Sequence, residues 1–139
     1  MKKFQFELED ILSVRKFQQE QAESELAKSL AVEQEIQRAL DALAEYQTSI
    51  QKQMRGNTSF YDIVNATQFS GFVRNKSEML MRRMAEAKVV SDEKRKIVKA
   101  AMQKTETLEN LKKSQQKEYK IEVQKDDDNE IDDIVTSRQ

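Results

Sequence analysis

Several residue types that carry chemistry or punctuate folds are missing here. The 139-residue chain has no cysteine, no histidine and no proline, and its only glycines are Gly56 and Gly71. Without cysteine there is no disulfide and no thiolate metal site. Without histidine the commonest general base and the commonest metal ligand are gone, and with both absent zinc loses its usual donors. Two distant glycines cannot build a phosphate-cradling loop. No run approaches the ~18 consecutive apolar residues of a membrane span. Met1, Lys2 and Lys3 are followed by Phe4 to Asp10, which holds three acids where a secretory leader has an apolar core, so no leader is expected and cytoplasmic is the expected location. A formal net charge of −1, with acids interleaved around Lys94, Arg95, Lys96 and Lys99, leaves no basic footprint for nucleic acid. The acidic run Asp126 to Glu130 lacks the turn glycine of a calcium loop and reads as a solvated charge run. Carboxylates abound, but two helices offer no pocket to desolvate a pair of them. The expectation is a protein with no catalytic residues, no metal and no cofactor.

What the chain does contain is helix formers. Charged residues make up 35% and hydrophobic ones 37%, with Ala, Glu, Gln, Lys, Leu and Arg dominant, all of which lose little side-chain freedom in a helix. Steps of four and three residues from Leu8 pass through Leu12, Arg15, Gln19, Ala22, Leu26, Ser29, Glu33, Ile36, Leu40, Leu43, Gln47, Ile50 and Met54. Nine of these 14 positions are apolar, which makes a coiled-coil seam because a 3.5-residue spacing keeps one face toward a partner. It weakens at Arg15–Gln19 and Ser29–Glu33. A second stripe runs from Phe69 through Val73, Lys76, Leu80, Arg83, Ala87, Val90, Lys94, Ile97, Ala101, Lys104, Leu108, Leu111, Gln115, Glu118 and Glu122, with nine of 16 apolar.

Between the stripes, Arg55-Gly56-Asn57-Thr58-Ser59 is the strongest turn signal, with Thr58 or Ser59 able to cap the helix that follows. The expected fold is all-α: a long two-helix antiparallel coiled-coil hairpin, with helix one over about 5–54, a turn over about 55–60, helix two over about 60–125 and an acidic tail over 126–139. Charge supports the pairing. Residues 1–54 carry seven basic and ten acidic side chains, and residues 55–125 carry 16 and nine, so the arms have opposite signs. The competing arrangement, each helix pairing with another chain, is disfavoured by the short connection. Folding back at Gly56 would set residue 1 opposite roughly residue 114 by helix-length arithmetic. The last stretch would then overhang as a Lys-rich helix and a frayed or conditionally helical tail, with Ile131, Ile134 and Val135 amid its acids.

Five of the nine aromatics, Tyr46, Phe60, Tyr61, Phe69 and Phe72, fall near the turn, more than two helices can bury. That implies an exposed apolar patch suited to a protein partner. Met79, Met81 and Met84 lie nearby, either filling the seam or adding adaptable contact surface.

The opening Phe4-Gln-Phe6-Glu-Leu8-Glu-Asp-Ile11-Leu12-Ser-Val-Arg15 resembles the start of the FliJ family, coiled-coil components of the bacterial flagellar export apparatus, which often begin F-x-F-x-L-E-x-L-L-x-x-R. Leu108-Glu-Asn-Leu111-Lys112, Glu118-Tyr119 and Glu130-Ile-Asp-Asp133-Ile134-Val135-Thr-Ser-Arg138 are similar to the family's later elements, with Asp133 where Glu is usual and Val135 where Ala is usual. The resemblance implies a two-helix stalk like that of rotary ATPases. Its partners would be the hexameric export ATPase and its regulator, the membrane export gate protein and export chaperones, at the cytoplasmic face of the inner membrane. It further implies gate-binding candidates at Leu43, Tyr46, Ile50, Phe69 and Phe72. By the analogy with rotary stalks, the terminal end would meet the ATPase, through Lys112, Lys113, Lys117, Glu130, Asp133, Ile134 and Arg138. An injectisome stalk, a client-binding chaperone and a generic coiled-coil adaptor are the alternative functions.

Overall fold

A computed structural model describes residues 3–55 and 59–138. The fold is all-α: α1 (Glu9–Met54) and the longer α2 (Phe60–Ser137) pack against each other as a helical hairpin. The expected turn centres on Gly56, Asn57 and Thr58, which lie outside the described residues. Its far edge is defined. The Ser59 hydroxyl accepts the Asp62 amide proton at 3.2 Å and donates to the Asp62 carboxylate at 2.6 Å, which caps the first turn of α2. The chain divides into two compact units, Met1–Ala22 with Val98–Gln139, and Glu23–Ile97.

In Glu23–Ile97 the helices run antiparallel, with Ser29 beside Ser91 and Tyr46 beside Phe69. Leu26, Ile36, Leu40, Leu43 and Ile50 of α1 turn inward as half-buried side chains. On α2, Val73, Leu80 and Ala87 are buried. Among them sits a polar layer. Ser91 is fully buried; its hydroxyl lies 2.8 Å from that of Ser29 and donates to Glu33 Oε2 at 2.6 Å. The layer belongs to a regular pattern. Gln19, Glu33 and Gln47 recur every 14 residues in α1, and Ser77, Ser91 and Thr105 every 14 in α2. At the Ser29–Glu33 gap of the α1 stripe, hydroxyls and a carboxylate therefore satisfy one another across the seam.

The unit of Met1–Ala22 with Val98–Gln139 is also antiparallel. Lys112 Nζ meets Glu9 Oε2 at 2.8 Å and Lys16 Nζ meets Glu109 Oε1 at 3.7 Å. Leu12 is its best-buried large residue, 1% exposed, with Thr105 also buried. Helix one starts at Glu9 and not near residue 5: residues 3–6 carry no helix and 7–8 form a turn. In a helix residues two apart diverge by about 200°; outside it, Phe4 and Phe6 both turn toward the pair, Phe6 buried and the Phe4 ring 5.7 Å from that of Tyr119. Residue 4 thus meets residue 119 where the length arithmetic put residue 1 opposite about 114, an offset already present in the helical pairs Glu9–Lys112 and Lys16–Glu109.

Two further expectations change. Half of the proposed α2 stripe is shifted by one residue. Val73, Leu80, Ala87, Lys94, Ala101, Leu108 and Gln115 do turn inward, but the companion row is Ser77, Met84, Ser91, Val98, Thr105, Lys112 and Tyr119. Val90, Ile97 and Leu111 stand outside it, exposed. α2 also continues as helix through the acidic run, with Gln124 Nε2 donating to Asp128 Oδ1 at 3.3 Å. No glycine or proline interrupts this stretch, and it grows from a helix already formed, so it meets no new nucleation barrier.

Candidate partner-binding surfaces

Near the fold-back, α1 delivers Tyr46 and α2 delivers Phe69 and Phe72. The Tyr46 and Phe69 rings meet edge to face with centroids 5.1 Å apart, and Phe72 follows at 6.4 Å from Phe69. Tyr46 and Phe72 remain more than half exposed, so this is a surface cluster held by one half-buried ring, Phe69. Of the five residues implicated by resemblance, the structure brings these three together. Leu43 and Ile50 are half-buried in the seam, and Ile50 lines the neighbouring groove together with Phe69.

Beside it lies an open groove of about 700 Å³ lined by Ile50, Met54, Ile63, Ala66 and Phe69, with Arg55 and Arg74 also on its walls. Gly71 contributes to its width, since a Cβ there would meet nothing within 4 Å. Ile63 and Ala66 were not anticipated as lining residues. The β-branched stretch 60–67 carried no clean period, and only its aromatics signalled a surface. The first turn of α2 is open: Phe60 is 82% exposed and Tyr61 75%. The expected apolar patch near the turn is therefore present, with Met81 also exposed and Met79 and Met84 half-buried.

At the other end of α2 the candidates separate into two kinds. Lys112 is half-buried and paired with Glu9, so it joins the helices and is poorly placed to meet a partner. Lys113, Lys117, Glu130, Asp133, Ile134 and Arg138 are exposed. From Asp128 through Arg138 every residue is exposed, and this stretch carries a net acidic charge that falls off sharply from the lysines before it. Exposed Ile131, Ile134 and Val135 punctuate the charges, the combination of anchor and polar rim that protein interfaces use. No described helix is long and apolar enough to cross a membrane.

A family model described as the flagellar FliJ protein matches residues 4–139. Neither a curated protein nor a solved structure matches the chain.

Proposed function

The chain belongs to the FliJ family, components of the flagellar export apparatus, and on that footing we propose that it is the stalk and activator of the hexameric export ATPase. In this reading it couples the ATPase to the membrane export gate and escorts export chaperones, peripheral to the cytoplasmic face of the membrane and with no catalysis of its own. The observation that supports it best is the bare end of α2, a continuous helix whose last turns are exposed on all sides. An asymmetric helix entering a ring contacts its subunits unequally, and unequal contacts bias their conformations by the difference in binding free energy. Lys113, Lys117, Glu130, Asp133, Ile134 and Arg138 are the residues assigned to that contact. Tyr46, Phe69 and Phe72 are assigned to the gate, because aromatic rings that stay exposed on a rigid helix pair are suited to anchor a partner.

The test is the ATPase rate and hexamer population of the cognate export ATPase with and without the full chain, and again with residues 126–139 deleted. The full chain raises both. The deletion lowers the stimulation while the thermal midpoint of the hairpin stays unchanged, since every residue from Asp128 through Arg138 is exposed. Full stimulation by the truncated chain would remove the tail from the mechanism, and no effect of the full chain would remove the stalk reading altogether.

A further inference from the structure

The two seam rows do not stop where the packed seam does. Counted back from Val73 in steps of three and four, the inward row of α2 reaches Ser70, Ala66 and Ile63, positions that hydrophobicity alone does not single out. Counted forward from Leu43, the α1 row reaches Gln47, Ile50 and Met54. All six line the open groove of about 700 Å³. Deeper in the pair the α2 row is closed, with Val73 and Leu80 each 5% exposed, whereas Ile63 is 52% exposed. The coiled coil therefore continues toward the fold-back as two matched rows with a groove between them.

That geometry selects a helix as the occupant. Rows spaced by three and four make the holes that receive side chains of a helix with the same apolar spacing, and such grooves are read by anchors at i, i+3 or i+4, and i+7. From Ile63 to Arg74 the α2 wall measures about 16 Å at 1.5 Å per residue, three helical turns.

Charge selects the kind of helix. Arg55 and Arg74 stand on the groove walls. Among the described residues no carboxylate lines the groove, and neither arginine forms an ion pair. Residues 46–77 hold four basic side chains, Lys52, Arg55, Arg74 and Lys76, against one acid, Asp62. The Asp62 carboxylate already accepts the Ser59 hydroxyl in the cap of α2. The chain as a whole is at −1, so this basic excess is local.

We propose that the groove docks one amphipathic helix of a partner protein, about three turns long, with aliphatic side chains at three- and four-residue steps and Asp or Glu beside them. The aliphatic stripe completes the two open rows, and the carboxylates meet Arg55 and Arg74. A contact this small gives a dissociation constant on the order of tens of micromolar. The proposal does not rest on the gate assignment, because Tyr46 and Phe72 lie outside the groove walls.

The experiment is fluorescence anisotropy of a side-chain-stapled helical peptide titrated with the full chain. The peptide carries Leu at three- and four-residue steps and Glu on both flanks; its control has Lys for every Glu. The Glu helix binds in the micromolar range, and the Lys helix binds at least about tenfold more weakly. Gly71→Leu places a side chain in the groove from a Cβ that meets nothing within 4 Å, and Leu is the better helix former. It abolishes binding while the thermal midpoint is unchanged or higher. Arg55→Glu with Arg74→Glu reverses the preference, so that the Lys helix binds and the Glu helix does not. Phe72→Ala leaves binding unchanged. No binding of the Glu helix, equal binding of both helices, or full binding by Gly71→Leu overturns the proposal. Two further results overturn it by naming another occupant: sedimentation of the chain alone as a dimer that Gly71→Leu abolishes, which seats a second copy in the groove, and flotation with phosphatidylserine vesicles that Gly71→Leu abolishes, which makes it a lipid site.

Discussion

Two stretches of α2 have the same backbone and almost the same proportion of charge, yet different reasons to be helical. Between residues 73 and 112, inward side chains recur at steps of four and three, and Val73, Leu80, Ala87, Ser91 and Thr105 are buried. Between residues 128 and 137 every residue is exposed. The first stretch is held by packing, the usual source of helix stability in proteins. The second has only its backbone hydrogen bonds, local side-chain pairs and the fact that it extends a helix already nucleated. A helix grown from a packed one can thus display surface without contributing to a core, which is what a contact element needs.

The largest effect expected from this contrast follows from truncating one apolar residue in each stretch. Leu80→Ala removes a side chain that is 5% exposed and lowers stability by about 2–4 kcal/mol. Ile131→Ala, exposed on the bare stretch, changes it by less than about 0.5 kcal/mol. Urea denaturation of both variants measures the difference. Comparable losses would mean that the tail is packed in solution and the contrast is mistaken.

Within the packed stretch the polar layer should behave unlike its neighbours. Ser91→Ala withdraws the donor that Glu33 accepts at 2.6 Å and leaves a carboxylate against the seam, a loss of about 1–2 kcal/mol. Adding Glu33→Leu to the same chain recovers most of it, because the unpartnered carboxylate is gone and an apolar side chain takes its place. If the double variant is no more stable than Ser91→Ala, the hydrogen bond is not what the single substitution removed.

The sequence reveals these layers unevenly. Every position of the α1 stripe, polar ones included, is buried or half-buried, because α1 alternates Leu12, Leu26 and Leu40 with Gln19, Glu33 and Gln47 on one unambiguous row. In α2 the aliphatic residues mislead. Val90, Ile97 and Leu111 look like seam positions, whereas Ser77, Ser91 and Thr105 occupy the seam. Small hydroxyls fit there because they find partners: Ser91 reaches Ser29 and Glu33, and Thr105 donates to its own Ala101 carbonyl at 3.1 Å. Hydrophobicity counts do not register that. The Phe4–Phe6 spacing of two was visible, but its consequence, a non-helical strap and not a first helical turn, required the facing Tyr119. The aromatic cluster was legible from crowding alone, since two helices cannot bury five rings near one turn. The groove beside it was not, because Ile63 and Ala66 belong to a stretch without period.

The smallest expected effects isolate helix propensity from packing. Gly71 lies inside α2 without a positive φ, and a Cβ added there meets nothing within 4 Å. Gly71→Ala therefore gains propensity without a clash, about 1 kcal/mol. That gain appears in the global unfolding midpoint, because residue 71 unfolds with the packed pair. Asn129→Ala makes a similar local improvement, about 0.5 kcal/mol, on an exposed residue of the bare stretch. There it should leave the global midpoint unmoved and only slow amide exchange over the neighbouring turns, because local opening of an unpacked segment does not require the core to unfold. A shift of the global midpoint by Asn129→Ala would show that the end of α2 unfolds together with the seam, and would erase the distinction between the two stretches at the level of cooperativity.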